Sequence, residues 1–241
     1  MNIDLLAFGA HPDDTELGCS GTIASLVKRG NKVVVVDLTR GEMGSRGSAE
    51  LRKKEAADAV KILGLHDRIN LGFPDTELEN TREFQLPIIQ AVRRYRPKIC
   101  FLPPLVDRHP DHGKASRLIL DALFYSGLIK IETTEPDTKV QKPYRPQHIL
   151  HYLLATPFKP DFVFDISDTI ETNEKAILAF SSQFNVKDDG EEAKTFVSDP
   201  AFFEMLRARA KMYGHQAGFE YGEPFKVSGG PVGIQEFDFL K

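Results

Sequence analysis

The sequence predicts an α/β fold, a Rossmann-like and mostly parallel sheet in the order 3-2-1-4-5 that is flanked by helices. Two observations carry this prediction. Short apolar runs alternate with segments of helical periodicity, which is the pattern of βαβ units with right-handed crossovers. The runs are also unbroken, as in strands buried on both faces. With 241 residues, 41% of them hydrophobic, we expect a single domain over 1–241 with a less regular C-terminal part.

The first half of the chain predicts four strand-helix units. The predicted strands are 3–8, 33–38, 69–71 and 99–102, and the predicted helices are 17–28, 48–63, 81–95 and 112–129. Gly30 and Gly64 follow the first two helices and are typical of C-terminal caps. Pro87 predicts a kink in the third helix.

The second half gives weaker signals. Three prolines among charged residues predict a long mobile loop or lid over 131–146. Strands are expected at 148–154 and 162–166, helices at 167–180 and 200–213, and a strand or hairpin in the tail from 214 to 241.

Composition excludes several classes of partner. The formal net charge is -4, and the 31 basic residues form no long stripe that would neutralise phosphates, so no nucleic acid is expected. No apolar run approaches the roughly 18 residues that span a bilayer, and the first residues lack the features of a signal peptide. We therefore expect no membrane association and a cytoplasmic location, with Cys19 and Cys100 reduced.

A first polar motif, Ala10-His11-Pro12-Asp13-Asp14, directly follows the first predicted strand. The side chains of Asp13 and Asp14 leave the backbone in different directions, so one can bind a metal with His11 while the other faces the ligand's open side. On its own, the motif is more typical of a β-turn followed by a capped helix.

A second motif, His109-Pro110-Asp111-His112, follows the fourth predicted strand. In a 3-2-1-4 sheet the first and fourth strands are neighbours, and their carboxyl ends border the crevice where ligands bind. Topology therefore brings together two motifs that lie 98 residues apart, counting from Asp14 to His112. Two histidines and one carboxylate would form a metal site, with either His109 or His112 as the second histidine ligand.

Zinc in a hydrolase is favoured over non-haem iron, because a spare carboxylate and a spare histidine accompany the ligands. Zinc lowers the pKa of bound water to about 7, and an ionised Asp13 can accept its proton. A protonated second histidine can stabilise an oxyanion or protonate the leaving nitrogen. Asp111 can hold that histidine in its charged form.

These motifs resemble the LmbE-like (PIG-L) zinc-dependent N-acetylglucosaminyl deacetylases. Further matches are Arg52 with Glu55, the segment 71–75 and the segment 221–225. The resemblance implies that His11, Asp14 and His112 bind Zn²⁺, that Asp13 is the base and that His109 is the charged stabiliser.

The segments 41–47 and 107–109 are most similar to the bacillithiol branch of that family. This resemblance implies removal of acetate from N-acetylglucosaminyl malate, a small-molecule glycoside, in bacillithiol biosynthesis. It also implies a homo-oligomer, with a hexamer suggested by the resemblance alone. Glu42, Arg52, Asp75 and Arg108 are the candidate substrate contacts, for sugar hydroxyls or an acidic aglycone.

Two alternatives remain open. One is a deacetylase of chitin oligosaccharides or free N-acetylglucosamine. The other, of a different class, is a Rossmann-type nucleotide-binding module, but the first strand is followed by no G-x-G-x-x-G, and a phosphate there would meet two carboxylates.

Overall fold

The computed structural model describes residues 2–135, 139–184 and 193–230. The strands are β1 (Leu5–Gly9), β2 (Val33–Thr39), β3 (Asp67–Phe73), β4 (Ile99–Leu102), β5 (His148–Tyr152), β6 (Phe162–Asp165) and β7 (Gly222–Val227). The helices are α1 (Asp14–Lys28), α2 (Ala49–Leu63), α3 (Arg82–Tyr95), α4 (Pro110–Tyr125), α5 (Ile170–Leu178) and α6 (Pro200–Ala217). A 3-10 turn at Ser167–Thr169 precedes α5.

All seven strands belong to one sheet in the order β3-β2-β1-β4-β5-β7-β6. The first five are parallel, which confirms the predicted order 3-2-1-4-5. β7 then pairs antiparallel with both β5 and β6. The sheet is therefore mixed, with an antiparallel edge built from the C-terminal part of the chain.

The central strands are buried on both faces, as their unbroken apolar runs predict. Leu6 and Phe8 of β1 face the hydrophobic layer that α3 and α4 cover. Leu5 and Ala7 face the opposite layer, which includes residues of α1 and α5. Because successive strand residues point to opposite faces, a run without polar residues is what a strand between two helical layers requires.

Helix boundaries follow local capping chemistry. The Ser48 side chain accepts a hydrogen bond from the Leu51 amide at the start of α2, and Gly64 ends that helix with φ 67°. α4 begins at Pro110, two residues earlier than predicted, because the His109 ring caps it. α3 continues through Pro87 as one helix to Tyr95.

In the segment predicted as a lid, the described residues do not line the crevice at the carboxyl end of the sheet. These residues, 131–135 and 139–146, lie against α3 and α4, where the Arg93 guanidinium binds the Ile131 carbonyl and the Gln141 amide binds the Gln90 carbonyl. In the tail, β7 fulfils the predicted strand, while 231–241 lies outside the described residues. Within the described ranges, no helix has the length and apolar content needed to cross a lipid bilayer.

Candidate active site

The two polar motifs meet at the carboxyl end of the sheet. β1 and β4 are paired neighbours, so the loop after Gly9 and the loop after Leu102 lie side by side. A cavity of about 310 Å³ opens at this edge, and both motifs line it. The convergence expected from topology is therefore observed.

Asp14 lies between two histidines. Its Oδ1 is 3.1 Å from His112 Nε2, and its Oδ2 is 3.7 Å from His11 Nδ1. Ring nitrogens of His11, His109 and His112 also lie within 4.8 Å of one another. Four-coordinate zinc with bonds of about 2.0 to 2.1 Å places neighbouring ligand atoms about 3.3 Å apart. The contacts of Asp14 with His112 and His11, at 3.1 and 3.7 Å, lie near this spacing.

The second nitrogen of each of these histidines faces another carboxylate. His11 Nε2 is 3.1 Å from Asp75 Oδ1 and 3.4 Å from Asp111 Oδ2. His112 Nδ1 is 2.5 Å from Asp107 Oδ2. Histidines that bind metals characteristically donate their other ring N–H to a carboxylate, which fixes the tautomer and orients the ring. The donor set and its supporting shell therefore fit a divalent metal.

The same carboxylates shift the pKa values of this group. Burial opposes a charged ring, but Asp111 and Asp75 outweigh it and raise the pKa of His11 to about 10. Burial is likewise outweighed at His112, where Asp14 and Asp107 raise the pKa to about 9. The pKa of Asp14 is lowered, despite burial, by His112 and His11. A metal binding here has to displace protons from both rings.

Asp13 occupies a strained position beside the ligand group. Its φ is 121°, a conformation that only glycine adopts without steric cost. Burial and the neighbouring Asp14 charge raise the pKa of Asp13 to about 7, although Arg52 opposes this shift. Arg52 Nη1 donates to Asp13 Oδ2 at 3.3 Å and to the Pro12 carbonyl at 3.1 Å. A carboxylate with a pKa near neutrality is suited to exchanging protons.

The structure corrects the predicted pairing of His109 with Asp111. The Asp111 carboxylate faces His11, not His109. His109 Nδ1 instead accepts a hydrogen bond from the Asp111 amide at 3.3 Å. Burial and the neighbouring His11 and His112 lower the pKa of His109. With Nδ1 as an acceptor, the His109 ring donates through Nε2, and the Asp111 carboxylate does not make the contact with His109 that was predicted.

Three of the four predicted substrate contacts are engaged within the protein. Arg52 holds Asp13. Asp75 Oδ1 faces His11, while its Oδ2 accepts from the Met43 amide at 2.9 Å. Glu42 accepts hydrogen bonds from the Asp75 and Arg40 amides, at 3.2 Å each. Asp75 and Glu42 thus join two loops around the site, because their oxygens satisfy backbone donors.

Arg108 is the exception among the four. Its guanidinium is exposed and lies 4.4 Å from the centroid of the Phe196 ring, and both residues line the cavity. In the described part of the chain its guanidinium pairs with no carboxylate. Arg108 therefore remains available to an anionic ligand.

Sequence reasoning missed two features of the site. Asp107 was not assigned a role, although its distance of five residues from His112 places it in the loop before α4. The second feature is a set of apolar side chains that line the cavity and that we call the apolar wall. The wall is formed by Leu17, Leu154, Val197, Phe202 and Leu206. These residues come from three distant parts of the chain, and no motif joins them.

Glu223 lies in the segment 221–225, which carried part of the resemblance, and its side chain binds the middle of α1. Its carboxylate accepts hydrogen bonds from the Gly21 and Thr22 amides at 2.9 and 2.8 Å. The Thr22 hydroxyl adds a third at 2.6 Å. The helix that carries Asp14 is therefore fixed to β7.

Comparisons with known proteins agree with this geometry. The family model PIG-L, described as GlcNAc-PI de-N-acetylase, matches residues 6–123. Diacetylchitobiose deacetylase from Thermococcus kodakarensis is 32% identical over 229 residues, which cover 91% of this chain and 80% of that protein. A probable N-acetyl-alpha-D-glucosaminyl L-malate deacetylase 2 from Bacillus cereus is 27% identical over 86% of this chain and 96% of its own length.

The conserved protein TT1542 from Thermus thermophilus has the same fold in its crystal structure. Its TM-score to this chain is 0.84, with 43% sequence identity over 96% of this chain and 97% of that one. The similarity thus extends well beyond the two motifs, into the second half of the chain. The chain belongs to the PIG-L family of LmbE-like deacetylases.

Proposed function

We propose that this protein is a zinc-dependent hydrolase that removes acetate from a substrate containing N-acetylglucosamine. One observation carries the proposal: His11 and His112 both contact Asp14, and the second ring nitrogen of each contacts a further carboxylate. That carboxylate is Asp107 for His112, and Asp75 and Asp111 share this role for His11. Asp13, with a pKa of about 7, lies beside the two histidines. Family membership and the names of the relatives supply the reaction and the sugar.

His11, Asp14 and His112 would hold the metal. A zinc ion there would supply Lewis-acid activation of water and of the amide carbonyl. The nitrogen and oxygen donors suit zinc, and a three-residue set leaves a coordination position open. Supporting carboxylates on both rings strengthen the histidines as ligands.

Asp13 is the proposed general base. Arg52 occupies its Oδ2, which leaves Oδ1 to accept a proton. His109 would donate a hydrogen bond from Nε2 to the developing oxyanion, since its Nδ1 is held by the Asp111 amide. Asp13 would then pass the proton that it accepts from water to the leaving nitrogen, so that the amine departs neutral.

N-acetylglucosaminyl malate, as in bacillithiol biosynthesis, is the first candidate substrate. It is supported by the motif resemblance, by the Bacillus cereus relative and by the exposed Arg108 guanidinium at the cavity. A guanidinium recognises a carboxylate through two parallel hydrogen bonds.

Diacetylchitobiose is the second candidate, and a specific observation favours it. The relative named for that substrate is more similar to this chain, at 32% identity over 91% of its length. Arg52, the other cation expected to meet a malate carboxylate, is committed to Asp13. A neutral disaccharide needs no such cation.

Metal analysis combined with an acetate-release assay tests the proposal. The metal-free protein would be loaded with zinc and assayed against N-acetylglucosaminyl malate, diacetylchitobiose and free N-acetylglucosamine. We expect about one zinc per chain and acetate release that a chelator abolishes. Stoichiometric zinc without acetate release from any of the three would contradict the deacetylase function, and chelator-resistant activity would contradict the metal.

A further inference from the structure

A strained residue other than glycine, Thr76, borders the cavity. Among the described residues, Asp13, Thr76 and Arg96 are the non-glycine residues with positive φ. Asp13 is the proposed base, and Arg96 ends α3 at the opposite edge of the sheet. Thr76 has φ 70° and lines the cavity. A β-branched residue is particularly ill suited to that conformation.

The backbone conformation at Thr76 serves the ligand group. Asp75 reaches His11, and the next amide, that of Thr76, donates to Asp111 Oδ2 at 3.1 Å. Both carboxylates that back His11 are therefore fixed by one tight turn. Lys114 Nζ adds a contact to the Thr76 carbonyl at 3.2 Å. The two bonds of Thr76, to Asp111 and to Lys114, use its backbone atoms, so a glycine would make them without steric strain.

The Thr76 side chain, unlike its backbone, forms no hydrogen bond with the described residues of the protein. Its hydroxyl makes no hydrogen bond to any part of the chain that the structure describes, and the residue is exposed at the cavity beside Asp75. A strained conformation that is kept at a functional site points to a role for the group that it presents. A threonine hydroxyl can both donate and accept a hydrogen bond.

We infer that Thr76 is a specificity-determining residue whose hydroxyl binds a hydroxyl group of the sugar ring. This inference rests on the proposed function, because it assigns the Thr76 hydroxyl to a polyhydroxylated substrate. The hydroxyl lies on the same turn as Asp75, which contacts His11, so a ring whose acetamido group reaches the ligand group passes beside it.

Paired substitutions test the role of the hydroxyl. Thr76→Val keeps the branched shape and the strain but removes the hydroxyl, whereas Thr76→Ser keeps the hydroxyl. We expect Thr76→Val to lower kcat/KM for the best N-acetylglucosaminide by about 3- to 10-fold, the loss typical of one neutral hydrogen bond. Thr76→Ser would stay within about 2-fold of the wild type, and both variants would keep their zinc. Equal kcat/KM for the valine variant and the wild type would overturn the inference.

Relief of strain gives a second readout. Thr76→Gly would raise Tm, because glycine accepts φ 70°, and would lose as much kcat/KM as Thr76→Val. Arg96→Gly is the matched control, since it places glycine at another positive φ far from the cavity, and its kcat/KM would match that of the wild type. A Thr76→Gly enzyme with full activity would show that the side chain is dispensable.

Deoxy analogues identify the contact. The Thr76→Val penalty would disappear for one of the 3-, 4- and 6-deoxy N-acetylglucosaminides and persist for the other two. A penalty of equal size on all three would mean that the hydroxyl binds no sugar hydroxyl directly, and would overturn the inference. Wild-type acetate release in the same assay separates the two claims. An inactive wild type contradicts the proposed function together with this inference, and an active wild type with unchanged variants contradicts this inference alone.

Discussion

The cavity has a polar floor and an apolar wall, and the two are built differently. The floor consists of the ligand group His11, Asp14 and His112 with Asp13 and His109, and its polar atoms are held by one another and by supporting carboxylates. The wall consists of Leu17, Leu154, Val197, Phe202 and Leu206. A network of short polar contacts fixes the reacting groups, whereas an apolar surface discriminates by shape and is tolerant of change.

The two regions also differ in where they come from in the chain. The floor comes from two loops at the ends of neighbouring parallel strands. The wall comes largely from α6 and the segment before it, and the Arg209 guanidinium joins α6 to the carbonyls of Leu17 and Leu154. We infer that the floor fixes the reaction and that the wall, with Arg108 and Phe196 at its edge, selects the substrate. Four substitutions test this division.

The largest effect is expected in the ligand group. Asp14→Ala removes the carboxylate that contacts both histidines, so zinc content would fall far below one per chain and acetate release would fall to background. Alanine at His11 or His112 would act in the same way. His109→Ala is the comparison, because it would lose activity and keep about one zinc per chain. Elemental analysis after dialysis measures the difference, and equal zinc loss in His109→Ala would make His109 a ligand.

Asp13→Asn is expected to have the next largest effect. It preserves the shape of the side chain and removes the base, so kcat would fall by about 10² to 10⁴ while zinc is retained. Because the base must be deprotonated and its pKa is about 7, wild-type activity would decline as the pH falls below about 7. That acidic limb would be absent from the pH profile of the variant. A variant with wild-type kcat would mean that another group accepts the proton.

Asp107→Asn tests the carboxylate that supports the proposed metal ligand His112. It weakens the bond to His112 Nδ1, and loss of such a supporting carboxylate typically costs about 10- to 100-fold in metal affinity. Competition with a fluorescent chelator measures the affinity. Asp67→Asn is the control, since Asp67 holds the Tyr95 hydroxyl at the start of β3, away from the cavity. Unchanged zinc affinity in Asp107→Asn would show that Asp14 and the fold suffice to orient His112.

Arg108→Ala tests the edge of the apolar wall, where Arg108 lies over Phe196. We expect its effect on kcat/KM to be confined to acidic substrates. A hydrogen bond to a charged group contributes about 1.5 to 3 kcal/mol, so kcat/KM for N-acetylglucosaminyl malate would fall by about 10- to 100-fold. Diacetylchitobiose would lose far less. Arg145→Ala is a matched control, because Arg145 also lies over an exposed phenylalanine, Phe124, at 4.6 Å. Equal losses on both substrates would mean that Arg108 supports His109 or the loop instead.

The parallel part of the fold could be predicted because its determinants are local. Unbroken apolar runs, helical periodicity and glycine caps each depend on a few neighbouring residues, and right-handed crossovers then restrict the strand order. The order 3-2-1-4 in turn placed His11 and His112 together. The antiparallel edge was not predicted, because β6 is short and half exposed and β7 lies in a tail without clear periodicity.

Side-chain partners within the site could not be predicted in the same way. Asp107 and Asp111 lie within five residues of His112, and the sequence cannot distinguish which carboxylate faces which ring. The choice depends on α4 beginning at Pro110, where the His109 ring caps the helix and Asp111 turns toward His11. The contacts of Arg52 and Asp75 likewise join segments that lie more than 30 residues apart in the chain.

The order of the parallel strands and the carboxyl edge at which the two motifs meet follow from the amino-acid pattern, since hydrophobic period, helix caps and crossover rules act along the chain. The packing of helices and loops sets the contacts of Asp107 with His112, of Asp111 with His11 and of the Asp111 amide with His109 Nδ1. It also decided that apolar residues from α6 complete the cavity. These features depend on distances of about 3 Å between side chains from separate elements, and such distances are fixed only when the helices and loops pack against the sheet.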